Sequence, residues 1–233
     1  MNALQILNRR LTWRESALVV VVLAALAALG YGGYKFTLAR VLDARVNAAI
    51  PKVAVQIRRQ RDQLVNAIEA YKAHFGFYPP DHVLSRQPLV IDPVTNTLLY
   101  ELAGVVYNPT NKTFQAGGLE PAEAAFVRRF FQCDGFRNCA ETPGKVTRFL
   151  KFDPLPALQL HDDPDVFALG FQAPYEGLSP EVFWEFNVTP WRYVSTAPTN
   201  NPGKFDLWIE VNARGRTLTI GNWRAVKQRV YRK

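Results

Sequence analysis

The sequence predicts an α+β protein: a long N-terminal membrane-spanning helix whose C-terminal half packs on a small antiparallel β-sheet. Three observations carry this. Residues 17–34 hold no charge. Beyond Lys35, apolar residues recur every three or four positions as far as Phe75, the stripe of an amphipathic helix. From residue 181 onward, short aromatic and β-branched runs alternate with turn residues, the pattern of paired strands.

The helix begins in a polar, basic lead. Thr12-Trp13-Arg14-Glu15 fits a capping box, in which the threonine oxygen and the glutamate satisfy free amides of the first turn. Glu15 also suits the positive end of the helix dipole. The uncharged run Ala17 to Tyr34 is about 27 Å long as a helix, close to a bilayer core of about 30 Å. The stripe then continues through Leu38, Leu42, Val46, Ile50, Val53, Ile57, Leu64, Ile68, Tyr71 and Phe75, with Arg61 in the one gap. Pro51 is expected to bend it. Gly76 and Tyr78-Pro79-Pro80 form a helix stop. The alternative is a secretory signal peptide, with Ala17 to Leu29 as its apolar core and Ala25-Leu26-Ala27 as its cleavage site. Against it, the stripe starts where the apolar run ends, as a continuation would. The chain therefore divides into a cytoplasmic basic lead (1–15), a transmembrane helix (16–36), a helical stem (37–78), an enlarged middle (79–180), an antiparallel sheet (181–223) and a basic tail (224–233).

The 233 residues, less the anchor, suffice for one ordinary domain, and 15 Phe, 9 Tyr and 5 Trp supply a core. The net charge of +8 is spread over the helix flanks (Arg9, Arg10, Arg14, Lys35, Arg40), the stem (Arg58, Arg59, Arg61) and the tail (Arg224, Lys227, Arg229, Arg232, Lys233). No run is concentrated enough to point to nucleic acid, so no nucleic-acid partner is expected. Cys133 and Cys139 are the two cysteines. A disulfide closing their short loop is expected, with Gly135 allowing the turn; free thiols and a metal site are the alternatives. Zinc lacks further ligands at suitable spacing. Basic residues nearly balance across the anchor, so the orientation rests on the cysteine pair and puts the C-terminal part in an oxidising compartment.

In chain order, residues 81–93 read as loop around Pro88 and Pro93. Leu98 to Leu102 reads as a short helix, and the stretch from Gly104 to Phe114 as two strands about Asn108-Pro109-Thr110-Asn111. Pro121 to Gln132 reads as a helix, acidic at its start and basic at its end. Residues 140–180 are expected to be irregular, with a strand at Thr147 to Phe152. Strands follow at Val182 to Val188, Trp191 to Ser195, Phe205 to Val211 and Thr217 to Ile220. In the third of these, Phe205, Leu207, Ile209 and Val211 face the core and Asp206, Trp208 and Glu210 the other side. Gly215 is expected at positive φ in the last turn. Catalytic patterns are sparse. His161-Asp162-Asp163 with Asp165 reads as a solvated acidic turn before a metal site, and His74 as a helix-end histidine. Ser179 and Ser195 lack the nucleophile-elbow context. Neither an enzyme activity nor a cofactor or small-molecule substrate is expected.

Three stretches resemble type IV pilin-like proteins and, among them, the major pseudopilin of type II secretion. Leu11-Thr12-Trp13-Arg14-Glu15 and the apolar run after it are similar to the family's N-terminal signature. Ala67 to Pro80, with Tyr71, Gly76, Tyr78 and Pro79, resembles its helix end. Thr189 to Val194 with Trp191, Asn201 to Trp208 with Asp206, and Ile220-Gly221-Asn222-Trp223 resemble its closing strands. The resemblance implies a long helix packed on a small sheet. It also implies a periplasmic filament subunit in the bacterial inner membrane whose partners are other pilin-like subunits and secretion-machine proteins. Two departures stand out. The family has glycine before its signature, where a peptidase cuts; here that residue is Arg10. Without the cut, Leu11 has no new amine to partner Glu15, and an uncleaved membrane-tethered periplasmic binding module is the alternative. The family's calcium turn corresponds to Asn212 to Arg216, which lacks the carboxylates a hard cation needs.

Overall fold

A computed structural model describes residues 13–160, 166–171, 178–183 and 185–223. The chain forms two compact units, Met1–Asn47 and Ala48–Lys233. One helix, α1 (Trp13–Phe75), supplies the described part of the first unit and the opening element of the second, with Pro51 inside it.

In the first unit the described side chains of α1 from Val20 to Val41 are all exposed. Val20 is 65% exposed, Leu26 59% and Tyr34 62%. The helix is long and apolar enough to cross a membrane, and none of its most apolar stretch is buried.

In the second unit the same helix becomes a core element. Val53, Ala54, Ile57, Leu64, Ala67, Ile68 and Tyr71 are buried, at three- and four-residue steps. They share one apolar cluster with Trp191, Tyr193, Phe205, Leu207, Ile209, Val211 and Ile220 from the C-terminal strands. Full burial of each large aliphatic or Phe side chain among them is worth about 1.5–3 kcal/mol. Where the stripe is interrupted, polar groups reach across: Gln60 Nε2 donates to Gly170 O (2.9 Å) and Arg61 to Gly221 O (3.0 Å). Gly76, at φ +84°, ends the helix by donating its N–H to Lys72 O.

Small sheets complete the α+β unit. Strands β1 (His82–Arg86) and β2 (Leu89–Asp92) form a hairpin where a loop was expected. Pro88 sits in its turn and Pro93 beyond its end, so neither removes a ladder hydrogen bond. Next come α2 (Leu98–Ala103), β3 (Val105–Asn108) and β4 (Thr113–Ala116), close to expectation. Helix α3 (Ala124–Phe131) starts later than predicted, because β5 (Ala122–Glu123) pairs with β4 first. β6 (Cys139–Ala140) runs parallel to β3. The strand expected at Thr147 to Phe152 is absent. Phe149 and Leu150 both donate their N–H to Leu102 O at the end of α2, which leaves no ladder there. Pairing occurs instead between β7 (Ala157–Gln159) and β8 (Phe167–Leu169).

Helix α4 (Pro180–Phe183) occupies the start of the strand expected from Val182, leaving β9 (Phe186–Val188). β11 (Asp206–Ala213) pairs antiparallel with β10 (Arg192–Val194), β9 and β12 (Arg216–Gly221). Its alternation holds for Leu207, Ile209 and Val211, but Asp206 is also buried. Arg214 (φ +46°) and Gly215 (φ +74°) make the tight turn into β12, the left-handed pair that matches strand twist.

Candidate functional site

The motif residues of the C-terminal unit gather in two places. The first is the helix end. Tyr71 is fully buried, and Tyr78 packs edge-on against Phe205 (5.1 Å between centroids) with Lys72 Nζ over the Tyr78 ring, 4.1 Å from its centre. The carbonyl of Pro79 accepts from Tyr193 Oη and Ser195 Oγ, both at 3.0 Å. Asp81 accepts from the N–H groups of Ser195 and Thr196 (2.8 Å each) and from Thr196 Oγ1 (2.6 Å). Burial pushes the Tyr193 phenol well above its usual range. The helix stop is thus tied directly to β10 and the residues after it.

The second place is the loop before β11. Asp206 accepts from the backbone N–H groups of Thr199, Asn200 and Asn201 (2.8–2.9 Å) and from the side-chain amides of Asn200 and Asn201 (3.1 Å). Asn222 Oδ1 accepts from Leu207 N (2.9 Å), and its amide donates to Phe205 O (2.9 Å). Trp208 and Trp223 meet edge-on at 5.8 Å, and a Cβ on Gly221 would lie 2.7 Å from the Trp223 ring. Trp191 is fully buried; its indole N–H has no partner among the described residues. The expected positions Tyr71, Gly76, Tyr78, Pro79, Trp191, Asp206, Trp208, Gly221, Asn222 and Trp223 therefore act by packing, capping and backbone satisfaction. Thr12, the side chain of Glu15, the His161 to Asp165 turn and the basic tail lie outside what is described.

No known protein family, curated protein or solved structure matches this chain.

One site went unread in the sequence. Glu101, in α2, is 1% exposed. Its carboxylate accepts from Tyr71 Oη (2.9 Å), Arg137 N (2.9 Å) and Asn138 N (3.0 Å), and its carbonyl from Asn138 Nδ2 (2.8 Å). Burial raises the carboxyl pKa, against the pull of those donors; it raises the Tyr71 phenol too, helped by the Glu101 charge. The local signal was a lone acid in the apolar run Leu98-Leu99-Tyr100-Glu101-Leu102-Ala103, every residue of which is buried.

Glu101 also alters the reading of the cysteines. Cys133 and Cys139 are free thiols, not the expected disulfide. The short loop between them is held by Glu101 and by Phe136, which stacks on Tyr100 at 4.6 Å and packs against Phe114. These contacts close the loop without a sulfur bridge. Burial, then nearby negative charge, raises both thiol pKa values, so neither is activated as a nucleophile.

Among the described residues no group of three His, Cys, Asp or Glu could hold a metal ion. The His82 ring, 4% exposed, has no hydrogen-bond partner there, and His74 packs on Phe75 and Phe149. Neither makes a nucleophile–base pair. The turn at Arg214 and Gly215 is closed by Thr217 Oγ1 donating to Asn212 Oδ1 (2.7 Å), with Arg214 reaching Glu185 (3.3 Å).

Proposed function

We propose that the chain is a pilin-like, single-pass component of a type II secretion or type IV pilus-type assembly. Its anchor sits in the bacterial inner membrane and its folded unit on the periplasmic side. It works through helix–helix and subunit contacts with other pilin-like subunits or secretion-machine proteins. The observation that carries this is the division of labour along α1: an apolar part whose described side chains are uncovered, then a buried part in the core of a small α+β unit. An uncovered apolar stretch of this size calls for a bilayer or partner helices. The helix-end and closing-strand motifs support the same reading: Tyr193 donates to the Pro79 carbonyl just after the helix, and Arg61 of the helix donates to the Gly221 carbonyl, so both tie the C-terminal strands to it.

Arg10 favours a second reading, an uncleaved membrane-tethered periplasmic binding module with the same fold. The intact mass of protein recovered from membranes separates the two. Loss of residues 1–10 supports the assembling subunit. A full-length chain supports the tethered module. Loss of residues 1–27 identifies a signal peptide and overturns both.

A further inference from the structure

The C-terminal end of the apolar run of α1 passes into a mixed aromatic and basic segment. Residues 31–41 are all exposed. They include Tyr31, Tyr34 and Phe36, each about three-fifths exposed, beside Lys35 and Arg40, with Arg45 one step further. Lys35 Nζ lies 4.6 Å from the Tyr31 ring centre and the Arg40 guanidinium 4.5 Å from that of Phe36. Both pairs are four residues apart, and helical side chains lean toward the N-terminus, so both cations fold back toward the apolar run. One acid, Asp43, stands among residues 31–47, and it is half-buried.

The spacing decides what these cations suit. Lys35, Arg40 and Arg45 are five residues apart, so successive charges are rotated by roughly 140° around the axis. They encircle the helix instead of lining one face. A single docked helix would meet one of them; a layer of headgroups around the helix meets all three. Along the axis they cover about 15 Å. The headgroup layer is roughly 5–7 Å thick on each side of the core. Lys35 and Arg40 bracket it, and Arg45 stays within about a Debye length of its surface.

We infer that Tyr31, Tyr34, Lys35, Phe36, Arg40 and Arg45 form a collar that binds anionic phospholipid headgroups at the C-terminal end of the span. This rests on the membrane reading of α1. The aromatic rings occupy the interface, where amphipathic rings are favoured, and the cations neutralise the phosphates around them.

The test reconstitutes the full chain in phosphatidylcholine vesicles carrying traces of spin-labelled phosphatidylglycerol or phosphatidylcholine. The relative association of the two labels is then measured. The expected result is a several-fold preference for phosphatidylglycerol at low salt, bounded by about fivefold per basic residue. It should shrink toward unity in about 0.5 M salt. The triple variant K35Q/R40Q/R45Q should lose most of it, and R9Q/R10Q/R14Q should keep it. Equal association in the unaltered chain overturns the collar. A preference that survives K35Q/R40Q/R45Q also overturns it. A chain that enters neither kind of vesicle overturns the membrane reading itself.

Discussion

Glu101 is the residue on which the most separate parts of the folded unit converge: the phenol of Tyr71 on α1 and two amides of the cysteine loop meet its carboxylate. Replacing it with alanine strands three donors, each costing about 1–3 kcal/mol when buried without a partner. Glu101→Ala should therefore lose on the order of 3 kcal/mol or more in urea unfolding followed by tryptophan fluorescence. The pH dependence has a definite sign. Burial raises the folded-state pKa above that of the unfolded chain, so the folded form binds the proton more tightly. The proton-linked part of Glu101's contribution is full below the unfolded carboxyl pKa of about 4.3 and is lost as pH rises through the folded value. Glu101→Gln should flatten that part of the stability profile, and an unchanged slope would assign it to other groups. Asp206 is the counterpart in the closing loop. Its three backbone donors make Asp206→Ala cost on the order of 3 kcal/mol in the same assay.

At the scale of elements, the second half of α1 and the β9–β12 sheet share one core, and substitutions there follow packing rules. Ile68 is fully buried, and Ile68→Ala should cost about 2–5 kcal/mol. Gly221→Ala forces a Cβ against the Trp223 ring and should cost about 1–3 kcal/mol, whereas Gly118, with nothing within 4 Å, should accept alanine with little change. Thermal melts of the pair isolate the steric term. These elements were also the legible ones. The stripe from Val53 to Tyr71 and the stop at Gly76 are local patterns, and so are the alternation Leu207, Ile209, Val211 and the turn at Gly215. Leu84, Leu89 and Val90 are exposed in the first hairpin, so it has no apolar-in alternation to read. Thr147 to Phe152 has strand-forming residues, but the amides of Phe149 and Leu150 bond to Leu102, far away in sequence. Glu101 was hidden for the same reason: its partners lie 30 and 37 residues away. Asp206 was assigned to solvent by the period of two, and the amides of the preceding loop overrule that assignment.

At the scale of the whole molecule, the two units make different demands on their surroundings. The second has its own core, beginning at Val53, and a fragment of residues 48–233 should be soluble and melt cooperatively, monitored by near-ultraviolet circular dichroism. The first exposes Val20, Val21, Val22 and Leu26. The full chain should stay in the pellet after alkaline carbonate extraction of membranes, and release into the supernatant would count against the anchor.

The two thiols have a practical consequence. Both are half-buried, raised in pKa and placed at the two ends of the loop that Glu101 holds. A pulse of alkylating reagent at neutral pH should therefore modify them mainly when that loop opens. The labelling rate becomes a clock for local opening, and Glu101→Ala should make it run faster than in the parent chain well below the temperature of global melting.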